Sequence, residues 1–81
     1  MNLEKMGKLI AEIRNEKKLT QDQLGNLLGG IDRRTISKWE TGKIAPDILL
    51  LESIANSLNI TVIELLKGEK ILIKKSKKIT L

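Results

Sequence analysis

Eighty-one residues, of which 41% are hydrophobic and 31% charged, suffice for one small folded domain and are too apolar for a disordered chain. The absence of Cys and His excludes a disulfide framework, a thiolate metal site and the commonest general base, so most enzyme classes fall away and neither a metal nor another cofactor is expected. Fifteen Lys plus Arg against ten Asp plus Glu leave a net charge of +5, which favours nucleic acid as partner ahead of a membrane surface. A single aromatic residue, Trp39, rules out a platform that stacks unpaired bases.

In chain order, Leu3, Met6, Ile10 and Ile13 recur at three-and-four spacing and predict a first helix ending near Lys17 or Lys18. Thr20 and Gln23 have the spacing of a capping box ahead of Leu24, Leu27 and Leu28, so a second helix is predicted over about 21–28, stopped by Gly29 and Gly30. Asp32 is a suitable N-cap for a third helix over about 33–41, with Gly42 just beyond its end. Asp47 is expected to cap a fourth helix carrying the stripe Leu51, Ile54, Ala55 and Leu58, with Asn59 at its exit. Thr61 and Glu64 repeat the capping-box spacing before a short fifth helix that Gly68 ends. The pattern is all-α, with residues 1–68 as the domain and 69–81 as a basic C-terminal extension.

Charge follows that division. Residues 1–66 hold nine basic and nine acidic groups, whereas six lysines against Glu69 alone put the whole net charge into the last fifteen residues. Met1 to Ile10 interleaves Glu4, Lys5 and Lys8 with apolar residues and lacks the apolar core of a secretory signal. The longest apolar stretch, Ile48 to Leu51, is too short to cross a bilayer. A cytoplasmic protein is expected, and a membrane partner is disfavoured.

Two short helices joined by a glycine-containing turn form the frame of a helix-turn-helix, whose second helix enters the major groove. At 100° per residue from Arg33, the side chains of Arg33, Ser37, Thr41, Arg34 and Lys38 fall within about 0–140°, and Trp39 and Ile36 at about 240 and 300°. One face is basic and polar, the other apolar. An outer charged face alone is common on surface helices; its place in this frame makes it a reading face.

The run Leu19-Thr20-Gln21-Asp22-Gln23-Leu24, then Thr35-Ile36-Ser37-Lys38-Trp39-Glu40, Gly42-Lys43 and Pro46, continued by Leu51, Ile54-Ala55, Leu58, Ile60-Thr61 and Glu64-Leu65-Leu66, resembles the Xre family of Cro- and phage-repressor-like DNA-binding domains. The resemblance covers about residues 6–68 and implies a compact five-helix bundle of the phage-repressor-like type.

It further implies base-facing positions for Arg33, Arg34 and Lys38. Gln21, Thr35, Ser37, Thr41 and Lys43 would face the sugar-phosphate backbone, Gln21 also bracing the third helix. Arginine can donate two parallel hydrogen bonds to guanine, although either arginine could instead hold a phosphate. Trp39, opposite the reading face with Ile36, is expected in the core and not as an intercalating wedge. Arg14 and Glu40 match positions that pair the first helix with the third, the alternative being two independent surface charges.

Two departures from the family pattern stand out. Gly29, Gly30, Ile31 and Asp32 add one residue to the turn, leaving the angle of the third helix open. Gly25 stands where alanine is usual, costing about 1 kcal/mol in helix propensity and predicting a soft second helix.

These readings converge on a sequence-specific, double-stranded DNA-binding transcriptional regulator that performs no chemistry. It is expected to be a repressor, a homodimer formed through the last two helices on a pseudo-palindromic operator, with Leu49 and Leu50, where the family often has polar residues, as apolar candidates for the interface, at least Leu49 pointing away from the stripe of the fourth helix. The alternative is an antitoxin or other protein-interaction module that engages a protein partner through its body or C-terminal extension and autoregulates through the helix-turn-helix.

Overall fold

The first helix, α1 (Leu3–Glu16), starts where the Asn2 side chain accepts from the Lys5 backbone N–H at 3.0 Å. Its stripe of Met6, Leu9, Ile10 and Ile13 is buried, and the third, fourth and fifth α-helices pack against it, while the second packs chiefly on the third. The computed structural model describes residues 1–71; residues 72–81, most of the predicted basic extension, lie outside them.

The chain continues through α2 (Gln21–Leu27), α3 (Arg33–Glu40), a one-turn 3-10 helix (Ile48–Leu50), α4 (Leu51–Leu58) and α5 (Val62–Lys67). The described residues contain no strand. One core joins all five α-helices, with Ile10, Leu24, Ile36, Ile54 and Leu65 fully enclosed.

Local sequence accounts for the ends of these elements. α1 closes with Lys18 in the left-handed region at φ 60°, while the Leu19 N–H reaches back to the Arg14 carbonyl at 3.0 Å, a glycine-type exit made without glycine. Thr20 with Gln23 and Thr61 with Glu64 form reciprocal capping boxes that start α2 and α5. Glu64 is buried and also accepts from the Ile71 backbone N–H at 2.8 Å, so the residue that starts α5 also holds the chain that leaves it.

The predicted fourth helix begins differently. Asp47 caps the 3-10 turn, accepting from the Leu49 N–H at 2.9 Å, and α4 proper starts at Leu51. The apolar stripe of α4 begins at Leu51, whereas Ile48 and Leu49 are exposed, so core packing holds only the residues from Leu51 onward in the wider α-helical turn.

Two glycines set distances between helices. Gly7 on α1 lies against the carbonyl groups of Trp39 and Glu40, which occupy the space that a Cβ would need. Gly25 on α2 lies against the Ile31 carbonyl in the same way, and its own carbonyl accepts from Gly30 N at 2.9 Å and Ile31 N at 3.0 Å. The longer turn thus folds back onto α2, and glycine at 25 is what admits it. The softness expected from helix propensity is offset by a contact that alanine could not make.

Gly25→Ala is therefore expected to destabilise the domain by about 1–3 kcal/mol, despite the gain in helix propensity of about 1 kcal/mol. Urea unfolding checks this; a midpoint at or above that of the parent would show that the Gly25–Ile31 contact does not limit the spacing of α2 and α3.

Candidate nucleic-acid interface

α3 presents the two faces that its sequence periodicity predicts. Ile36 and Trp39 are buried, at 0% and 3% exposure, whereas Arg33, Arg34 and Lys38 are exposed and Thr35 and Ser37 are half-buried. Trp39 is thus a core side chain on the side of α3 away from its cationic face. Thr41 and Lys43 are exposed just beyond the helix. The Thr41 hydroxyl donates to the Ser37 carbonyl at 2.9 Å, so its proton serves the end of α3.

The N-terminus of α3 is built against its own dipole. Cations are disfavoured at a helix N-terminus, yet Arg33 and Arg34 are its first two residues. Asp32 offsets part of this cost by accepting from the Arg34 backbone N–H at 3.3 Å. Asp22, on α2, contributes a second carboxylate, with Oδ2 3.8 Å from Arg33 Nη1. A local rule is thus broken on an exposed face, with partial compensation close by.

The opposite end of α3 is anchored by ions. Arg14 on α1 donates to Glu40 through Nε at 2.7 Å and Nη2 at 3.2 Å, and through Nη1 to the Leu19 carbonyl at 2.7 Å. Their side chains are only 12% and 7% exposed. Gln21, half-buried at the first position of α2, adds a third donor, Nε2 to Glu40 Oε1 at 2.9 Å. One carboxylate thereby ties α1, α2 and α3 together and fixes how far α3 projects from the body.

Apart from Thr35 and Ser37, half-buried on α3, the residues singled out by sequence divide into two groups. Arg33, Arg34, Lys38, Thr41 and Lys43 lie exposed along α3 and the loop after it, while Arg14, Gln21, Glu40, Ile36 and Trp39 form the support behind them. Asp22 and Gly7 carry little signal in the sequence for the places they take here. Asp22 resembles any acidic residue in a first helical turn, and only the close packing of α2 on α3 brings it to Arg33. The position of Gly7 on the apolar side of α1 is a faint signal, since a glycine there leaves room for another backbone.

Among the described residues no group of three or more Asp or Glu could hold a metal ion, and no helix is long and apolar enough to cross a membrane. Glu40→Ala would leave the Arg14 guanidinium largely enclosed without its carboxylate, and is expected to cost about 3 kcal/mol. Thermal unfolding of this variant and of Gln21→Ala measures it; equal, small losses in both would mean that the ion pair adds nothing beyond an ordinary hydrogen bond.

Comparison with known proteins agrees with this architecture. The helix-turn-helix family profile matches residues 10–65. The chain is 40% identical over 63 residues to the HTH-type transcriptional activator BcrR of Enterococcus faecalis, a match covering 78% of this chain and 30% of that protein. It therefore spans less than a third of the length of that relative. The restriction-modification controller protein C.AhdI from Aeromonas hydrophila is 32% identical with a TM-score of 0.70, over 78% of this chain and 94% of that one. The P22 c2 repressor, solved in complex with a synthetic operator, is 31% identical with a TM-score of 0.74, over 79% and 96%. The chain belongs to the helix-turn-helix family, and within it to the Xre- and Cro-like domains.

Proposed function

We propose that this protein binds a specific double-stranded operator with α3 in the major groove and acts as a repressor by occupying that site. The observation that carries this reading is the exposed row of Arg33, Arg34 and Lys38 on a helix whose other face is buried and whose far end is anchored through Glu40. A helix so fixed can present side chains to base edges at a defined depth. Arg33 and Arg34 are suited to guanine, to which a guanidinium donates two parallel hydrogen bonds. Lys38 supplies a third cation on the same face.

Lys43, Thr35, Ser37 and Thr41 flank this row and are assigned to the sugar-phosphate walls, which position the protein without reading sequence. For Gln21, the bond to Glu40 supports the bracing role; its second amide N–H is assigned to a phosphate at the start of α2. The lysines from Lys67 onward add a charge that any duplex would attract. No step of chemistry is assigned to the domain.

One domain of this size makes too few base contacts for high specificity, so two copies on a two-fold site are proposed. Ile48 and Leu49, at 77% and 84% exposure, lie side by side just ahead of α4 and supply an apolar surface for such a contact, with Ile63 on α5 also exposed. The relatives named above are regulators, which supports this reading over an antitoxin.

Selection from random duplex oligonucleotides, followed by footprinting, tests the function. Arg33→Ala and Arg34→Ala are each expected to change which base is preferred at one position, at a cost of about 1–3 kcal/mol there. Lys43→Ala should weaken all sequences alike. Retention of the parental preference by both arginine variants would remove α3 from base reading.

The dimer is tested separately by Leu49→Glu. Sedimentation and titration of a single operator should show a monomer that binds a half-site and requires higher protein concentration on the full site. An unchanged dimer would place the interface elsewhere.

A further inference from the structure

Asp22 is an acidic residue on the edge that α2 turns toward the reading helix, and it faces Arg33 across the α2–α3 gap. A carboxylate at a surface meant for a polyanion is costly unless it acts on something. The packing beneath it is tight: Gly25, three residues further along α2, lies against the Ile31 carbonyl, and the turn after α2 is bonded back to the Gly25 carbonyl. This backbone contact holds the start of α3 beside the first turn of α2, and it places Asp22 Oδ2 3.8 Å from Arg33 Nη1 while both side chains remain about two-thirds exposed.

We propose that Asp22 is a specificity-determining positioning residue that acts through Arg33, favouring its engagement of a guanine edge over its capture by a phosphate; this rests on the base-reading role given to Arg33 above. The guanidinium carries five N–H donors in a fixed fork. Two of them satisfy guanine O6 and N7, and others remain for Asp22, so the ion pair and the base contact can coexist. An Arg33 swung to a phosphate leaves Asp22 behind, and the freed carboxylate then stands close to a second anion. Asp22 therefore opposes the non-specific arrangement while supporting the specific one. It also offsets the unfavourable position of Arg33 at the N-terminus of α3.

The test uses the full chain and two duplexes: the one recovered by random-oligonucleotide selection, and one of the same length with the guanine read by Arg33 replaced. Asp22→Asn keeps the size of the side chain and removes its charge. It is expected to tighten binding to the substituted duplex about two- to fivefold, the range for an exposed ion pair. Binding to the selected duplex should change less, so the ratio between them falls. The salt dependence on the substituted duplex should steepen by about 0.9 in log K per log salt, as one more phosphate is engaged.

Asp22→Glu should retain the parental ratio. In an Arg33→Ala background, Asp22→Asn should no longer alter the base preference. A parental ratio in Asp22→Asn, or equal tightening on both duplexes, would overturn the role of Asp22. If Arg33→Ala itself leaves the preference unchanged, the failure lies in the base-reading assignment, and the role of Asp22 falls with it.

Discussion

The geometry of this domain depends on one nearly buried carboxylate. Glu40 lies at the last position of α3, where the helix dipole disfavours a negative charge, and it is held there by two N–H groups of Arg14 and one of Gln21. Arg14 also bonds the Leu19 carbonyl, so the turn between α1 and α2 is held by the same cluster. Charged groups this enclosed contribute little net stability compared with apolar packing, but their directional bonds define an orientation that hydrophobic contact alone leaves loose. What is oriented is the helix bearing the exposed arginines.

Backbone contacts complete that orientation. Gly7 lets α1 approach the carbonyl groups at the end of α3, and Gly25 lets the longer turn fold back upon α2. The additional turn residue, which by itself would leave the tilt of α3 undetermined, is absorbed by the hydrogen bonds to the Gly25 carbonyl. The extra residue and the glycine at 25 are thus two parts of one local solution. Read separately, they look like a loosened turn and a weakened helix.

The surface divides into parts with different physical tasks. Arg33, Arg34 and Lys38 project from a rigid helix and suit contacts that require direction. In the proposed function, the lysines near the C-terminus would add attraction that falls with salt and carries no sequence information. Between α3 and α4, Ile48 and Leu49 are adjacent, strongly exposed apolar side chains, at 77% and 84% exposure. On the same proposal, a neutral body with a directional cationic face would discriminate among duplexes, because its affinity is not overwhelmed by uniform charge.

Much of this organisation was legible in the sequence because it is local. Capping pairs such as Thr20 with Gln23 and Thr61 with Glu64, the exits at Gly42 and Gly68, and the two faces of α3 depend on residues a few positions apart, where helical periodicity and hydrogen-bond reach decide the outcome. The Arg14–Glu40 pair was suggested by family resemblance, but its closeness and its third member, Gln21, depend on how three helices meet. The start of α4 at Leu51 was likewise tertiary, since Asp47 offers the same capping oxygen to a 3-10 turn or an α-helix and core burial favours the α-helix only from Leu51. Asp22 acquires Arg33 as a neighbour, and Gly25 its necessity, only through a packing distance between helices. By itself the sequence determined the helices, their faces and the family; the tertiary structure decided which side chains stand within bonding range, because those distances depend on backbone contacts between segments that no local periodicity records.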